Sequence, residues 1–248
     1  MSAALLPVWR DDWALFLDVD GTLLEIAAIP AAVCVPERAV RVLATLQQRL
    51  QGAVALVSGR RIAELDRLFA PLRLPIAGVH GAERRDAEGR LAQPQHDAAL
   101  APARRLLSRW RTTHADVLIE DKGVALALHY RAAPERESAV RRIAAEAVTS
   151  LGPGFHVQEG KKVLEIKADS AGKGFAIAAF MRELPFRERV PVFVGDDLTD
   201  EDGFEVVNRL GGHSIAVGID RPTRARWRLR DERDVLDWLD RGAGGERA

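Results

Sequence analysis

The chain has 248 residues, of which 47% are hydrophobic and 29% are charged, as is usual for a folded globular protein. Its 36 basic residues balance its 36 acidic residues, so bulk electrostatic attraction to nucleic acid is not expected. One cysteine excludes an internal disulfide and a cysteine-rich zinc site and favours a reducing cytoplasmic setting, and no apolar stretch reaches the roughly 18 residues that span a membrane.

The first third of the chain alternates short apolar runs with helical patterns. Apolar runs cover residues 14–19, 53–57 and 76–79, and apolar side chains recur at helical spacing in residues 36–50 and 61–69. This βαβαβ order predicts a parallel sheet with helices packed on its faces.

The pattern changes after residue 82. Residues 98–113 and 134–151 have helical spacing, and each of these segments is followed by two short strand patterns around a glycine-containing turn. The alternation of strand and helix patterns then returns over residues 173–239.

These patterns together predict an α/β fold built from two parts. The first is a Rossmann-like core with a parallel sheet, formed by residues 1–82 and 169–248. The second is an inserted α+β cap domain, residues 83–168, with the element order αββαββ.

Two carboxylates follow the first predicted strand. Asp18 and Asp20 leave the strand end together, and Gly21 permits a tight turn directly after them. Ligands of open α/β sheets bind beyond the carboxyl ends of the strands, so this pair is a candidate for chemistry. The alternative is an ordinary turn capped by one aspartate, but matching polar residues after later strands favour the first interpretation.

A second acidic group follows the strand pattern at residues 190–194. Without a cation, Asp196, Asp197, Asp200 and Glu201 would repel one another at a strand end, and oxygen ligands of this kind suit Mg²⁺. The helix dipole alone favours acidic residues at a helix start. It explains Asp200 and Glu201 better than it explains Asp196 and Asp197.

Two further residues are weak signals when each is taken alone. Ser58 follows the second strand, where a hydroxyl and backbone N–H groups can hold a phosphoryl oxygen, but a serine there is also a common helix cap. Lys173 opens a predicted helix between Gly172 and Gly174, and a solvated lysine is the simpler explanation of that residue.

In chain order, these residues resemble the four motifs of the haloacid dehalogenase superfamily of phosphotransferases. The matching residues are Asp18-x-Asp20-Gly21-Thr22, Ser58, Lys173 and Gly195-Asp196-x-x-x-Asp200. Finer features resemble the trehalose-6-phosphate phosphatase family within it, and they lie in Val57–Arg60, Gly78–Glu83, Lys122-Gly123 with Leu128–Arg131, Glu159–Lys167 and Gly195–Glu201. The resemblance covers nearly the whole chain. It implies hydrolysis of trehalose 6-phosphate to trehalose and phosphate, a step of trehalose biosynthesis.

The resemblance also implies an aspartyl-phosphate mechanism. Asp18 would be the nucleophile that takes up the phosphoryl group. Asp20 would protonate the departing sugar oxygen as general acid and then activate a water as general base. Ser58 and Lys173 would hold the phosphoryl oxygens as negative charge moves onto them.

Mg²⁺ is the cofactor that the resemblance implies. Its ligands would be Asp18, the backbone carbonyl of Asp20 and Asp196. Asp200 would orient a water on the ion, and Asp197 is a weaker candidate ligand. The ion would cancel the repulsion between the nucleophile and a phosphate dianion.

The insert is expected to act as a lid that excludes bulk water and recognises the sugar. The family motifs imply that the substrate-binding residues are Arg60, His80, Gly81, Glu83, Lys122, Lys161 and Glu165. For each charged residue of the insert, a plain surface charge on an antiparallel sheet is an equal alternative.

Other functions stay open at this point. The nearest is another capped sugar phosphatase of the superfamily, acting on sucrose phosphate, mannosylphosphoglycerate or a hexose phosphate. A phosphomutase is a further alternative. A non-catalytic sensor of trehalose 6-phosphate is disfavoured because Asp18, Asp20, Asp196 and Asp200 are all present. No nucleic-acid or membrane partner is expected, and we expect a monomer, with a homodimer as the alternative.

Overall fold

The computed structural model describes residues 6–26, 33–92, 96–123, 125–160, 162–168, 172–218 and 220–244. The chain divides into two compact units, Met1–Ala92 with Gly172–Ala248 and Gln93–Ala171. The α/β fold class with an inserted α+β part is confirmed. The sequence predicts that the insert begins at residue 83, whereas in the structure residues 83–92 belong to the larger unit because they add two strands to its sheet.

The strands and helices are numbered in chain order. The strands are β1 (Trp13–Leu17), β2 (Val54–Val57), β3 (Ile76–Gly78), β4 (Glu83–Arg85), β5 (Leu91–Ala92), β6 (Leu118–Asp121), β7 (Ala125–His129), β8 (Phe155–Gly160), β9 (Val163–Ala168), β10 (Val190–Gly195), β11 (His213–Val217) and β12 (Trp227–Leu229). The helices are α1 (Glu37–Arg49), α2 (Ile62–Leu68), α3 (His96–Ala99), α4 (Ala101–Arg111), α5 (Glu137–Leu151), α6 (Lys173–Phe180), α7 (Glu201–Arg209) and α8 (Glu232–Gly244).

The larger unit contains a sheet with the strand order β12-β11-β10-β1-β2-β3-β4-β5. The strands from β12 to β3 pair in parallel, and β4 and β5 add an antiparallel edge. All five residues of β1, the strand between β10 and β2, are buried. Burial on both faces explains why this strand is a continuous apolar run in the sequence.

The strands β4, β5 and β12 are absent from the sequence-based assignment because they are short, and β4 and β12 also carry charged residues. Arg85 on β4 is buried, and its guanidinium donates two hydrogen bonds of 2.7 Å to Asp66 on α2 and one of 2.9 Å to the carbonyl of Leu74. Partners of this kind offset much of the free energy that burial of a charge costs. Residue periodicity does not reveal them because they come from another element.

Three neighbouring parallel strands end at the same edge of the larger sheet. In register, Leu17 at the end of β1 pairs with Val194 on β10 and with Leu56 on β2. The polar residues that directly follow these three strands therefore leave the sheet side by side, as expected for a binding site in an open α/β sheet.

The smaller unit has an antiparallel sheet with the order β6-β7-β9-β8. Leu126 and Leu128 on β7 and Ile166 on β9 are buried in a hydrophobic cluster with residues of α4 and α5. Strand residues alternate between faces, so the paired residues Ala127 and Glu165 lie on the face opposite to the helices. In the described parts of the chain, no helix is long and apolar enough to span a membrane.

Candidate active site

Asp18 is the first residue after β1 and lies at the centre of the site. Its backbone N–H donates to the carbonyl of Val194 at 3.0 Å, which continues the β1–β10 ladder and fixes the start of the loop. The residue is only 4% exposed, and Nζ of Lys173 donates to its Oδ1 at 2.8 Å. Burial raises the pKa of Asp18 to about 8, although the positive charge of Lys173 opposes this shift.

Lys173 is the first residue of α6 and is almost fully buried. Besides Asp18, its ammonium donates to Oδ1 of Asp200 at 2.6 Å. Burial works to lower the pKa of Lys173, but the charges of Asp18 and Asp200 outweigh it and raise that pKa. The lysine is therefore a buried cation between two carboxylates, and the simpler assignment as a solvated surface lysine is wrong.

Asp200 organises the loop after β10. It is fully buried, and its Oδ2 accepts hydrogen bonds of 2.9 Å from the backbone N–H groups of Asp196 and Asp197. Burial raises the pKa of Asp200 well above its usual range, and Lys173 opposes this shift. Because Lys173 takes Oδ1, both oxygens of Asp200 are occupied within the protein.

The carboxylates present can accommodate a divalent cation. Within the described ranges, oxygens of Asp18, Asp196 and Asp200 lie within 4.8 Å of one another. Burial, followed by the charge of Asp200, raises the pKa of Asp196 to about 6. Thr22 donates to Oδ1 of Asp196 at 3.2 Å. Asp18 also accepts hydrogen bonds within the protein, from Lys173 at 2.8 Å and from Thr22 at 3.4 Å, so the three carboxylates together form the candidate cation site.

Gly21 allows the loops after β1 and β10 to approach each other. Its φ of +83° lies in the left-handed region that favours glycine. A β-carbon at this position would overlap the carboxylate of Asp196. The Asp18-x-Asp20-Gly21 pattern is thus required for the approach of Asp196 as well as for the turn.

Asp20 does not contact Lys173 and instead pairs with an arginine. Arg60 donates Nε to Oδ2 of Asp20 at 2.7 Å and Nη2 to Oδ1 at 2.6 Å. The sequence predicts Arg60 as a substrate-binding residue and does not predict this pair. A lysine, an asparagine or a glutamine cannot form the same planar, charged pair of donors.

The loop that follows β2 is held by a turn at residues 78–81. Ser58 is buried at the end of β2, and its carbonyl accepts the N–H of His80 at 2.9 Å. Val79 and His80 both have positive φ values, 49° and 53°, which is an uncommon backbone conformation for a β-branched residue such as valine. The ring of His80 lies against Gly59, because a β-carbon there would be 2.8 Å from two ring atoms. The turn therefore places the imidazole of His80 against Gly59, the residue after Ser58.

The other two residues predicted between core and insert occupy packing positions. Glu83 is buried, and its Oε2 accepts the backbone N–H of Ile62 at 3.1 Å, so it satisfies the first residue of α2. A β-carbon at Gly81 would lie 2.5 Å from the carbonyl of Gly172. Direct substrate contact by Glu83 and Gly81 stays a prediction.

One residue of the site is absent from the sequence-based candidates. Asp202 on α7 accepts the backbone N–H of Gly174 at 3.1 Å and thereby caps α6, the helix that starts with Lys173. A β-carbon at Gly174 would lie 2.6 Å from the backbone carbonyl of Asp202. The sequence signal that could have indicated this contact is Gly172. It stands at the N-cap position of α6 and has no side chain, so a side-chain cap can come only from another element.

The predicted sugar-binding residues of the smaller unit include one close ion pair. Lys122 donates Nζ to Oε1 of Glu165 at 2.6 Å, and both side chains are largely buried. Glu165 lies on β9, on the sheet face opposite to the helices. Lys161, the third predicted residue, lies outside the described residues.

The fold, with polar residues at the carboxyl ends of its central parallel strands, is the haloacid dehalogenase-like fold. The structure is similar to that of a haloacid dehalogenase-like hydrolase from Bacillus subtilis, with a TM-score of 0.66 over 92% of this chain and 99% of that one. The two sequences are 16% identical, so this likeness shows the fold alone.

Sequence similarity defines the family within this class. The family model described as trehalose-phosphatase matches residues 16–233. The trehalose-6-phosphate phosphatase of Escherichia coli K12 is 48% identical over 231 residues, which cover 92% of this chain and 85% of that protein. The C-terminal domain of the Candida albicans trehalose-6-phosphate phosphatase has a TM-score of 0.77 at 23% identity and covers 94% of this chain and 92% of its own. The chain belongs to the trehalose-phosphatase family.

Proposed function

We propose that this chain is a Mg²⁺-dependent phosphomonoester hydrolase that converts trehalose 6-phosphate to trehalose and phosphate. The observation that carries the proposal is the buried contact between Asp18 and Lys173 at the carboxyl edge of the parallel sheet. It joins a potential nucleophile to a cation in a site with additional carboxylates. Family membership and the E. coli relative support the choice of substrate.

The first step of this reaction is attack of Asp18 on phosphorus. Lys173 holds the Asp18 carboxylate in one orientation and offers its positive charge to the phosphoryl oxygens as charge moves onto them. Ser58 directly follows the neighbouring parallel strand β2, so its hydroxyl lies at the same carboxyl edge of the sheet as Asp18. The product of this step is a phosphoaspartate at Asp18 and a free sugar.

Asp20 moves the protons in both steps. It gives a proton to the sugar oxygen as the phosphorus–oxygen bond breaks, and it later takes one from the water that releases phosphate from Asp18. Its side chain is 34% exposed, whereas that of Asp18 is 5% exposed. Solvent access suits a group that exchanges protons with substrate and water, and burial suits a nucleophile that has to be shielded from water.

Asp18 and Asp196 would hold Mg²⁺, and the backbone carbonyl of Asp20 is proposed as a third ligand from the family resemblance. When bound, the ion supplies positive charge that balances the clustered carboxylates and the phosphate dianion. Asp200 keeps Asp196 in place through the backbone N–H group of that residue. Its two oxygens are engaged, so we assign it an orienting role rather than direct binding of the ion.

We propose that the smaller unit recognises the sugar, with Lys122 and Glu165 as hydrogen-bonding partners of hydroxyl groups. An ammonium and a carboxylate together can donate to and accept from a disaccharide that carries many hydroxyls. Lys161 stays a further prediction from the family motif. We also propose a cytoplasmic setting, which the exposed, unpaired Cys34 favours, and a monomeric state.

The test measures phosphate release from trehalose 6-phosphate, sucrose 6-phosphate, mannosylphosphoglycerate and glucose 6-phosphate, with Mg²⁺ and after removal of divalent ions by EDTA. We expect kcat/KM for trehalose 6-phosphate to exceed the other values by at least about 100-fold, because several hydroxyl contacts are lost with each alternative. EDTA should abolish turnover, and added Mg²⁺ should restore it.

The alternatives give different results in the same assay. Equal turnover of glucose 6-phosphate would remove the claim of specificity. Rearranged sugar phosphate without free phosphate would indicate a phosphomutase. Binding of trehalose 6-phosphate by calorimetry without any turnover would indicate a sensor.

A further inference from the structure

Each of the two aspartates after β1 has a cation of its own. Arg60 forms two charged hydrogen bonds with Asp20, of 2.7 and 2.6 Å, so that both oxygens of this carboxylate are held in the plane of the guanidinium. Asp18 is held by Lys173 instead. The two side chains are only two residues apart, yet they are oriented by separate elements of the fold.

The position of Arg60 is itself fixed by the loop that follows β2. Its backbone N–H donates to Oγ of Ser58 at 3.2 Å, and its carbonyl accepts the N–H of Val79 at 2.9 Å. Only 13% of its side chain is exposed. Arg60 therefore connects the loop that carries Ser58 to the side chain of Asp20.

Asp20 is the residue of the proposed mechanism that most needs an external support. Its side chain is one-third exposed, and Gly21 directly after it has an unusual backbone conformation. An exposed aspartate samples several rotamers unless a partner selects one of them. Among the described residues around the site, Arg60 selects one rotamer of Asp20 through its bidentate hydrogen bonds.

We propose that Arg60 is the positioning residue of Asp20 and directs its carboxyl toward the oxygen of the departing sugar. This inference rests on the proposed function, because it takes Asp20 as the general acid. Before the first step Asp20 takes up a proton from solvent on one carboxyl oxygen, which gives up its hydrogen bond from Arg60. The bond from phosphorus to the sugar oxygen then breaks, the bond from Asp18 to phosphorus forms, and this proton moves to the sugar oxygen.

To reach the sugar oxygen, one oxygen of Asp20 exchanges its hydrogen bond with Arg60 for one with the substrate. The second hydrogen bond with Arg60 keeps the carboxyl in place during the transfer. A displacement of about 1 Å at such a group lowers the rate by roughly 100-fold. A lysine would retain the charge but would lack the planar pair of donors.

The test compares two substrates that differ in their need for an acid. The sugar alkoxide of trehalose 6-phosphate is a poor leaving group and needs a proton, whereas the dinitrophenolate of 2,4-dinitrophenyl phosphate leaves without one. Rates are measured in a single turnover with Mg²⁺ and excess enzyme, so that only formation of the phosphoaspartate is observed. The variants are Arg60→Ala, Arg60→Lys, Asp20→Asn and, as a matched control, Arg61→Ala.

We expect Arg60→Ala to slow trehalose release by about 10- to 100-fold and to leave dinitrophenolate release within about twofold of the wild type. Arg60→Lys should give a smaller loss with the same selectivity. Asp20→Asn should show the largest difference between the two leaving groups. Arg61 contacts Glu83 instead of Asp20, so Arg61→Ala should leave both rates unchanged.

Equal losses on both substrates in Arg60→Ala and Arg60→Lys would overturn the inference. A higher half-saturating enzyme concentration with an unchanged maximal rate would also overturn it, because Arg60 would then bind the substrate. If Asp20→Asn discriminates between the leaving groups and the Arg60 variants do not, only this inference fails. If Asp20→Asn does not discriminate either, the proposed role of Asp20 fails as well. Thermal unfolding identifies a misfolded alanine variant, and in that case the lysine variant decides the outcome.

Discussion

The larger and the smaller unit each bury charged side chains, but they balance the charges differently. In the larger unit Asp18, Asp196 and Asp200 share one ammonium, that of Lys173, and burial raises the pKa values of all three carboxylates. In the smaller unit the carboxylate of Glu165 accepts a hydrogen bond of 2.6 Å from the ammonium of Lys122, and Lys167 is a further buried ammonium. The proposed function assigns a cation and a phosphate to the acidic cluster, and the neutral hydroxyl groups of the sugar to Lys122 and Glu165. We therefore propose that the carboxylate cluster is the reactive centre, and that the sheet face with Lys122 and Glu165 is the recognition surface.

Substitution of the proposed nucleophile should separate the two units most clearly. Asp18→Asn should reduce turnover of trehalose 6-phosphate by on the order of 10⁴-fold or more, because an amide cannot take up the phosphoryl group. Phosphate release measures the loss. The thermal midpoint without metal should not fall, because the variant removes a buried carboxylate from a cluster with excess negative charge. Full activity in this variant would exclude Asp18 as the nucleophile.

A substitution in the smaller unit should affect binding rather than chemistry. Glu165→Gln should raise KM for trehalose 6-phosphate by about 10-fold or more and leave KM for 2,4-dinitrophenyl phosphate unchanged, since only the disaccharide offers hydroxyls to this pair. Steady-state kinetics with both substrates measures the effect. Glu120→Gln is the control, because Glu120 pairs with His129 on the same sheet and is half exposed. Equal changes in Glu165→Gln and Glu120→Gln would remove Glu165 from the recognition surface.

The excess negative charge of the larger unit should make stability depend on pH in the absence of metal. The pKa values of Asp18 and Asp196, about 8 and about 6, lie above the unfolded value of about 4, so the folded state binds more protons between these values. The free energy of unfolding should therefore fall as pH rises from about 4 to 8.

Addition of Mg²⁺ should reverse this loss, and more so at pH 8 than at pH 5.5, because protons compete with the ion for the same carboxylates. Thermal midpoints measured at both pH values, with Mg²⁺ and with EDTA, test the expectation. Each kcal/mol corresponds to about 2–4 °C in a protein of this size. A larger increase at pH 5.5 would contradict the charge imbalance.

The smallest expected effect concerns the support of Lys173. Asp202→Ala removes the cap of α6 and should lower stability by about 1 kcal/mol, with a reduction of kcat by a few-fold through displacement of Lys173. Asp202→Asn retains an acceptor and should recover most of the loss. Glu205→Ala on the same helix is the control, because Glu205 is exposed and pairs with Arg224 rather than with a residue of α6 in the described part of the chain. An unchanged thermal midpoint in Asp202→Ala would show that the cap does not support α6.

Residue patterns that are local in the sequence were sufficient to predict much of the fold and the residues at the centre of the site. The buried run at β1 and the carboxylates directly after it predict both a central strand and its reactive end, because the period of side-chain burial and the strand end are local properties. The strands at residues 83–85 and 227–229 were not predicted. Their charged side chains are stabilised by distant partners such as Asp66.

The same limit applies to individual side chains of the site. The sequence predicts that Arg60 and Glu83 bind substrate, and this stays a prediction. It does not predict the contacts that the structure adds, of Arg60 with Asp20 and of Glu83 with the start of α2. Both residue types suit either role. Only the neighbours that the fold brings close distinguish a ligand of the substrate from a support of the site.

The order of the longer elements and the four motifs depend on spacing along the chain, so they could be predicted from the sequence, and they indicate the class of chemistry. The partners of the charged groups depend on the tertiary fold. Lys173 lies between Asp18 and Asp200, Arg60 pairs with Asp20, and Asp202 caps α6. These contacts join residues 27–155 positions apart in the chain, and their geometry depends on the register of the parallel strands and the packing of α6 against α7. No local pattern contains that information.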